Sequence, residues 1–309
     1  MSTSSRIVGL DLARSLAIIG MIILHMASLV WSTKVILSGL PATLFAIVAG
    51  VTMMLISKNY SVQTLLRLIA RGAIITLIGL ALLPVGGQIQ VVLVAMGITM
   101  MVVSWVPPLN MWWKLALFFV AAIASTVHYA PFTLPQVYPL LAWIAYFIAG
   151  MLLFEVYIRP GSFRTALQWI VTAVSAVIAA VGTYFRFEPD IPSWLRFTGH
   201  TGVAGEILLS VAVAAVVLHL CLLIGSAVPK LVYPLAAMGT MSLTVYVLHV
   251  LSAYYWQSNI SLHNTAWAWA FIGLFLVLAT IWRKFLGQGP LEKAVSSAVK
   301  LAVPAGKKD

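Results

Sequence analysis

An all-α integral membrane protein, a bundle of about ten transmembrane helices with both termini cytoplasmic, is the fold class this 309-residue sequence predicts. Three observations lead there. First, 62% of the residues are hydrophobic and 8% charged, where a water-soluble domain carries about a quarter charged residues. With 18 basic and 7 acidic side chains there is too little charge to cover a soluble surface, so apolar surface must face lipid. Second, the apolar residues fall in runs of about 20, enough to cross the hydrocarbon layer at about 1.5 Å per residue. Third, the basic residues alternate from one end of these runs to the other with a strong bias.

Charged, proline-rich or glycine-rich breaks divide the chain into spans at 8–30, 36–57, 69–86, 89–106, 110–128, 138–157, 166–185, 201–225, 231–256 and 264–282. The run 8–30 is too long for a secretory h-region and holds Asp11, Arg14 and His25. It reads as an uncleaved signal-anchor helix rather than a leader cut after Ala27. Lys58-Asn59-Tyr60 closes the second span, and Pro107-Pro108 closes the fourth. Gly86-Gly87 is the weakest boundary, where two short runs meet. Pro189-Asp190-Ile191-Pro192 marks the loop before the eighth span. Trp112, Trp113, Trp194, Tyr254, Tyr255 and Trp256 fall near the expected boundaries as an aromatic belt. Gly50, Gly79, Gly97 and Gly150 lie within spans, where small residues permit close helix packing.

With these spans, fifteen basic residues fall on one side: Arg6, Arg14, Lys58, Arg67, Arg71, Lys114, Arg159, Arg164, Lys230, Arg283, Lys284, Lys293, Lys300, Lys307 and Lys308. The other side receives three, Lys34, Arg186 and Arg196. The positive-inside rule makes the first side cytoplasmic and supports an even number of spans. The net charge of +11 therefore reads as membrane anchoring, and a nucleic-acid partner is not expected. Residues 1–282 form one polytopic domain without an internal repeat. Residues 283–309 form a basic tail that reads either as an amphipathic surface helix or as a solvated segment.

Ionisable groups at membrane depth are expensive and mark function by default. Asp11, Arg14, His25, Glu206, His219 and His249 are such groups, together with Ser242, Thr244 and Tyr246; of these His219 lies deeper toward the cytoplasmic side and reads as structural. His25 is eleven positions after Arg14, which returns the helix to nearly the same face about 16 Å further on. Asp11 lies one turn before Arg14, within pairing reach. His25, Glu206 and His249 are expected at a similar depth. An imidazole there is suited to take a proton from a hydroxyl or amine. No HExxH or HxxxH spacing supports a metal, and the single Cys221 supplies neither a disulfide nor a metal site. Walker, GxSxG and dinucleotide-binding motifs are absent from the sequence. Arg67 and Arg71, with Lys58, form a basic group suited to phosphate.

The stretch Arg6–His25, RIVGLDLARSLAIIGMIILH, resembles the opening signature of the transmembrane acyltransferase superfamily. Its Arg-x10-His spacing is similar to acyltransferase family 3. The wider pattern is closer to the catalytic domain of heparan-α-glucosaminide N-acetyltransferase and its bacterial relatives. Further matching pieces are LFAIVAG at 44–50, Arg71-Gly72, Gly79, YPLLAW at 138–143, Gly150, and GTMSLTVYVLH at 239–249. Ser15, where a glycine commonly follows the motif arginine, is a departure.

The resemblance implies a bundle in the cell inner membrane, part of the cell envelope, that moves an acyl group, usually acetyl, from cytoplasmic acetyl-CoA or another acyl-CoA to a sugar or glycolipid acceptor. It implies His25 as the catalytic histidine and Arg14 as its motif partner. On that reading Glu206 and His249 assist His25, Arg14, Arg67 and Arg71 hold the donor phosphates, and Asp11, Trp143, His200 and Tyr246 contact substrate. His128 is a further candidate for the acceptor vestibule. The reading requires an internal passage from Arg14 to His25. Two rivals remain: a proton-coupled transporter or flippase using the same polar residues, and a non-catalytic scaffold. The oligomeric state, homodimer included, is open.

Overall fold

A computed structural model describes residues 6–131, 137–159, 164–257 and 263–304, without the side chains of Arg164 and Gln257. Lys307 and Lys308 of the expected basic tail lie outside the described residues. The described chain is helical, with no strand. Its helices are α1 (Val8–Met26), α2 (Trp31–Leu37), α3 (Leu40–Ile56), α4 (Val62–Gly86), α5 (Leu93–Val102), α6 (Met111–Tyr129) and α7 (Leu140–Tyr157). They continue as α8 (Arg164–Phe185), α9 (Ala204–Ala227), α10 (Tyr233–Thr240), α11 (Ser242–Gln257), α12 (Thr265–Phe285) and α13 (Pro290–Ala302). Among the described residues eight segments are long and apolar enough to cross a membrane, and the bent pair α10–α11 makes a ninth. The protein is a multi-pass membrane bundle.

The expected span 89–106 is the exception in length, since α5 has only 10 helical residues. Its flanks nevertheless tie it to both ends of the bundle. Gln90 O accepts a hydrogen bond from Tyr138 Oη (2.7 Å), just ahead of α7. Ser104 O accepts one from Tyr60 Oη (3.0 Å) in the link between α3 and α4. The chain thus passes between the two ends here by a short helix and a series of tight turns. Gly72 of α4 and Gly97 of α5 lie so close that a Cβ on Gly97 would collide with the Gly72 carbonyl, so α5 packs into the side of α4 rather than against lipid.

Two other expected spans are broken. Span 36–57 divides at Gly39, whose φ of 78° is open to glycine, into α2 and α3. The carbonyls freed at the end of α2 are bound by Arg186, whose Nη1 donates to Val35 O, Ile36 O and Ser38 O at 2.5–3.0 Å. Span 231–256 bends by 80° between α10 and α11. The N–H groups exposed at the start of α11 are satisfied by Glu292 of α13. An interrupted helix at membrane depth requires such partners. α4 begins at Val62, ahead of the expected 69, because the side chain of Ser61 accepts from Thr64 N–H and starts the helix there.

The core is organised around α1, which packs against α3, α9, α10 and α12. α3 and α7 approach most closely where Gly50 faces the Phe147 carbonyl and Gly150 faces that of Ile47. The buried ion pair Lys114–Glu155 (3.0 Å), extended by Arg159, joins the start of α6 to the end of α7. Arg6, Arg14 and the α13 residue Glu292 line one cavity, so the described N- and C-terminal segments lie at the same end of the bundle. We call this the basic end.

Candidate active site: two cavities on one helix

At the basic end a cavity of about 420 Å³ opens between α1, α3, α4, α5, α10–α11 and α13. Its polar lining comprises Arg6, Arg14, Arg71, Arg283, Gln288, Glu292, Thr52, Thr240 and Ser242. Arg14 projects from α1 between two anchors. Its Nη1 donates to Asp11 Oδ1 at 2.5 Å and its Nη2 to Thr52 Oγ1 at 2.7 Å. Arg6 also ion-pairs with Asp11. One carboxylate thus serves two guanidinium groups, and Arg71 and Arg283 add further positive charge. The chemistry of this lining suits an anionic, phosphate-type ligand. Arg71 is shared with an adjacent groove of about 430 Å³ that also contains Arg67 and Lys300. Arg67 donates to Val303 O (3.3 Å) and so also helps to hold the C-terminal segment.

At the opposite end a second cavity of about 390 Å³ contains His25. The α1 period that sets Arg14 into the first cavity carries His25 round to nearly the same face, but near the other end of the helix. His25 Nδ1 lies 3.2 Å from Nε2 of His249, which has no exposed surface. The two rings are parallel within 3°, with centroids 5.5 Å apart. Tyr246, one turn earlier on α11, stands edge-on to His249 at 5.0 Å. Its hydroxyl accepts from Val92 N–H (3.0 Å) and so ties α11 to the start of α5. When His25 Nδ1 carries the proton it donates to His249 Nε2, which leaves His25 Nε2 as a proton acceptor. Lys34, Gln88, Gln90, Tyr138, His200 and His263 provide the remaining polar lining. Tyr138, in the turn before α7, has its phenol pushed well above the ordinary range, chiefly by burial, which favours its role as a donor.

Several expected residues behave differently from expectation. Glu206 does not join His25. Its carboxylate accepts from the backbone N–H groups of His200 (2.8 Å), Thr201 (2.7 Å) and Gly202 (2.7 Å), and from Thr201 Oγ1 (3.0 Å). It is saturated by this turn and acts on the site through it. The turn holds His200 at φ 67°, with Nδ1 2.8 Å from Val137 O, at the cavity wall. Asp11 lies at the basic end, paired with Arg14 as its place one turn earlier on the helix predicts, and also with Arg6. Trp143 is 2% exposed and packs edge-on against Tyr138 and Tyr146, behind the cavity rather than in its lining. His128 is also outside that lining. His219 follows its expected structural reading: it bonds Thr172 Oγ1 (2.7 Å) and stacks on Tyr157. His200 and Tyr246 line the cavity as expected.

The required passage from Arg14 to His25 is closed in this structure. The two cavities share no lining residue. On α1 the residues between them include Ile18 and Ile22, both without exposed surface. Val92, bonded to Tyr246 of the one cavity, is followed by Leu93 of the other, so the dividing layer is only a few side chains deep there. Met53 and Met96 on one side and Met21 on the other border it.

Sequence reasoning missed Lys34, Gln88, Gln90 and His263 at one cavity and Thr52, Arg283 and Glu292 at the other. The two glutamines carried a readable signal, as amides just after an apolar run; Glu292 carried none, because its partner Thr244 is 48 residues away. Among the described residues there is no group of three or more His, Cys, Asp or Glu side chains that could hold a metal ion.

Residues 153–301 match the family model described as a protein of unknown function, DUF418. The matched region runs from the end of α7 into α13 and includes Tyr246, His249 and Glu292, while Arg14 and His25 lie before it. No curated protein matches the chain.

Proposed function

We propose that this protein is a membrane acyltransferase that accepts an acyl group, most simply acetyl, from a CoA-type donor at the basic end and delivers it to a hydroxyl or amine at the opposite end. The basic end is then cytoplasmic, in keeping with its excess of Lys and Arg. The observation that carries this reading is the placement of Arg14 and His25 on one helix, each in its own cavity, with a guanidinium-rich lining at one end and an imidazole pair at the other. The donor's phosphates would contact Arg14, Arg71 and Arg283, and its thin thioester arm would extend along α1 toward His25. The similarity of the Arg6–His25 stretch to transmembrane acyltransferases supports the same assignment.

In the reaction, His25 Nε2 takes the proton from the acceptor hydroxyl or amine. The acceptor atom attacks the thioester carbonyl, the carbon–sulfur bond breaks, and the thiolate leaves and is reprotonated. His249 keeps the His25 proton on Nδ1. General-base catalysis of this kind contributes about 10²–10⁴-fold. Because the layer between the cavities is closed, transfer demands a second arrangement in which it parts. The flexible thioethers of Met21, Met53 and Met96 suit a layer that rearranges.

That closed layer also favours a second reading. In it the same intramembrane polar residues serve a proton-coupled transporter or flippase, and the closed layer separates the two membrane faces between transport steps. The two readings separate in proteoliposomes given labelled acetyl-CoA. Acyltransfer predicts release of free CoA thiol and label on an acceptor, lost by 100-fold or more in His25→Ala. Equal CoA consumption by wild type and His25→Ala would remove the catalytic assignment. Uptake driven by a pH gradient with no thiol released would establish transport instead.

A further inference from the structure

The layer that separates the two cavities is uneven in depth. On α1 the chain runs seven positions from the one lining to the other, Arg14 to Met21, past Ile18, which has no exposed surface. On three other elements it crosses in three positions: Ala42 to Phe45 on α3, Gln90 to Leu93 at the start of α5, and Leu243 to Tyr246 on α11. Three helical residues rise only about 4.5 Å. One hydrogen bond joins two of these thin places, because Tyr246 Oη accepts from Val92 N–H (3.0 Å). Val92 caps the start of α5, where a helix leaves its N–H groups without partners of its own.

The elements around the layer are not equally fixed. α1 meets α9 and α10 through Gly9, Gly225 and Gly239, α3 meets α7 through Gly50 and Gly150, and α5 meets α4 through Gly72 and Gly97. At each of these glycines a Cβ would collide with backbone, so the helices touch main chain to main chain. Among the described residues no glycine makes such a contact with α11. The inner face of α11, with Tyr246, His249, Val250 and Ala253, has no exposed surface. On its outer face Leu248, Leu251 and Tyr255 are 40%, 40% and 66% exposed, so the chain puts little behind it. α11 leaves α10 at an 80° bend, and polar contacts hold it inward: Glu292 at its start, Tyr246 on Val92, and His249 on His25.

We propose that the two cavities join by an outward swing of α11 from α5, that the Tyr246 hydroxyl is the latch holding this passage shut, and that the open passage takes a linear, amide-bearing chain. Opening frees Val92 N–H and the Tyr246 hydroxyl together, beside the apolar side chains of Phe45 and Leu93. A carbonyl on a slender chain can then accept from Val92 N–H in place of the phenol, which restores the bond that opening breaks. A plain hydrocarbon offers no such carbonyl. The occupant rests on the acyltransferase reading, in which the donor's arm crosses here to bring its thioester to His25. The latch does not depend on that reading.

The test uses the full chain carrying Ala42→Cys, a small replacement in the lining of the His25 cavity, reconstituted in one orientation. A membrane-impermeant methanethiosulfonate is added from the basic end, and the chain without Ala42→Cys corrects for Cys221. With Tyr246 in place the modification should be slow. Tyr246→Phe, which keeps the ring and removes the hydroxyl, should speed it about tenfold, the order expected for one buried hydrogen bond. Tyr246→Ala should speed it further, and Ile18→Ala, on the thick side of the layer, should not. S-acetylpantetheine, which has the amides without the nucleotide, should slow the modification again in Tyr246→Phe. Equal rates in Tyr246→Phe and the parent overturn the latch, and a faster rate in Ile18→Ala than in Tyr246→Ala overturns the place of the passage. Acceleration in Tyr246→Phe with no protection by S-acetylpantetheine would retain the latch and remove the proposed occupant. Protection without any label transferred from acetyl-CoA would retain latch and occupant and remove the acyltransferase reading.

Discussion

His249 has no exposed surface, and its Nε2 lies 3.2 Å from the Nδ1 of His25, so one of these nitrogens donates to the other beside the proposed base. In the proposed reaction His249 fixes which nitrogen of His25 carries the proton. Glutamine can present an amide oxygen near the position of Nε2, whereas phenylalanine keeps the ring and removes the acceptor. In the acyl-transfer assay, His249→Phe should lower turnover by about 10²-fold, of the order of a misplaced general base, and His249→Gln should recover part of the loss. Nitrogen-15 NMR of labelled histidine is the second readout, because His25 should show the Nδ1–H tautomer in wild type and lose that uniformity in His249→Phe. An unchanged tautomer with normal turnover would leave His249 as packing. The pairing of Arg14 with His25 on one helical face was legible from the sequence because it depends only on helical period. The role of Glu206 was not. A carboxylate at suitable depth on α9 was indistinguishable from a catalytic one until the fold of the 198–202 turn placed three N–H groups around it.

Among the elements, α13 shows how the tail is used. It is a docked helix over Pro290–Ala302 with Val295 3% exposed. Glu292 Oε1 accepts from Leu243 N–H (2.7 Å) and Thr244 N–H (3.1 Å), and Oε2 accepts from Thr244 Oγ1 (2.6 Å). Leu291 N–H returns a bond to Thr244 Oγ1 (3.2 Å), which closes the contact in both directions. A carboxylate at the start of α11 also meets the positive end of the helix dipole. Charge-assisted bonds of this type contribute about 1.5–3 kcal/mol each where buried, and less at this partly solvated site. Glu292→Gln should therefore lower the thermal unfolding midpoint modestly and raise amide exchange at 242–246 and along α13 without affecting α6 and α7. Exchange that stays unchanged at the start of α11 would show that this cap does not hold the broken span. The same element explains why 231–256 read as one straight helix: the sequence there is apolar throughout, and the partner that permits a bend is in another helix.

For the whole molecule, the arrangement depends on sidedness. Arg6, Arg14, Arg71 and Arg283 meet at one end, and Lys34 and Arg186 help to build the other, around the second cavity and the α2–α3 link. Membrane-impermeant maleimide should label Ser32→Cys in intact cells, and Lys58→Cys only after permeabilisation. The native Cys221, 2% exposed and inside α9, gives little background. The reverse labelling pattern would invert the topology and place the guanidinium-rich cavity away from cytoplasmic acyl-CoA.

The sequence by itself determined that the chain lives in a membrane, roughly where it crosses, which end is basic, and that Arg14 and His25 share a helix face. Each of these depends on composition or on a local period, and neither needs a partner. Only the tertiary structure decided that α5 is short, that the second and ninth spans are broken, that His25 faces His249 and not Glu206, and that the two cavities are closed from each other. Those outcomes depend on contacts between residues far apart in the chain, where a hydrogen bond or a close backbone approach chooses among alternatives that local physics leaves nearly equal.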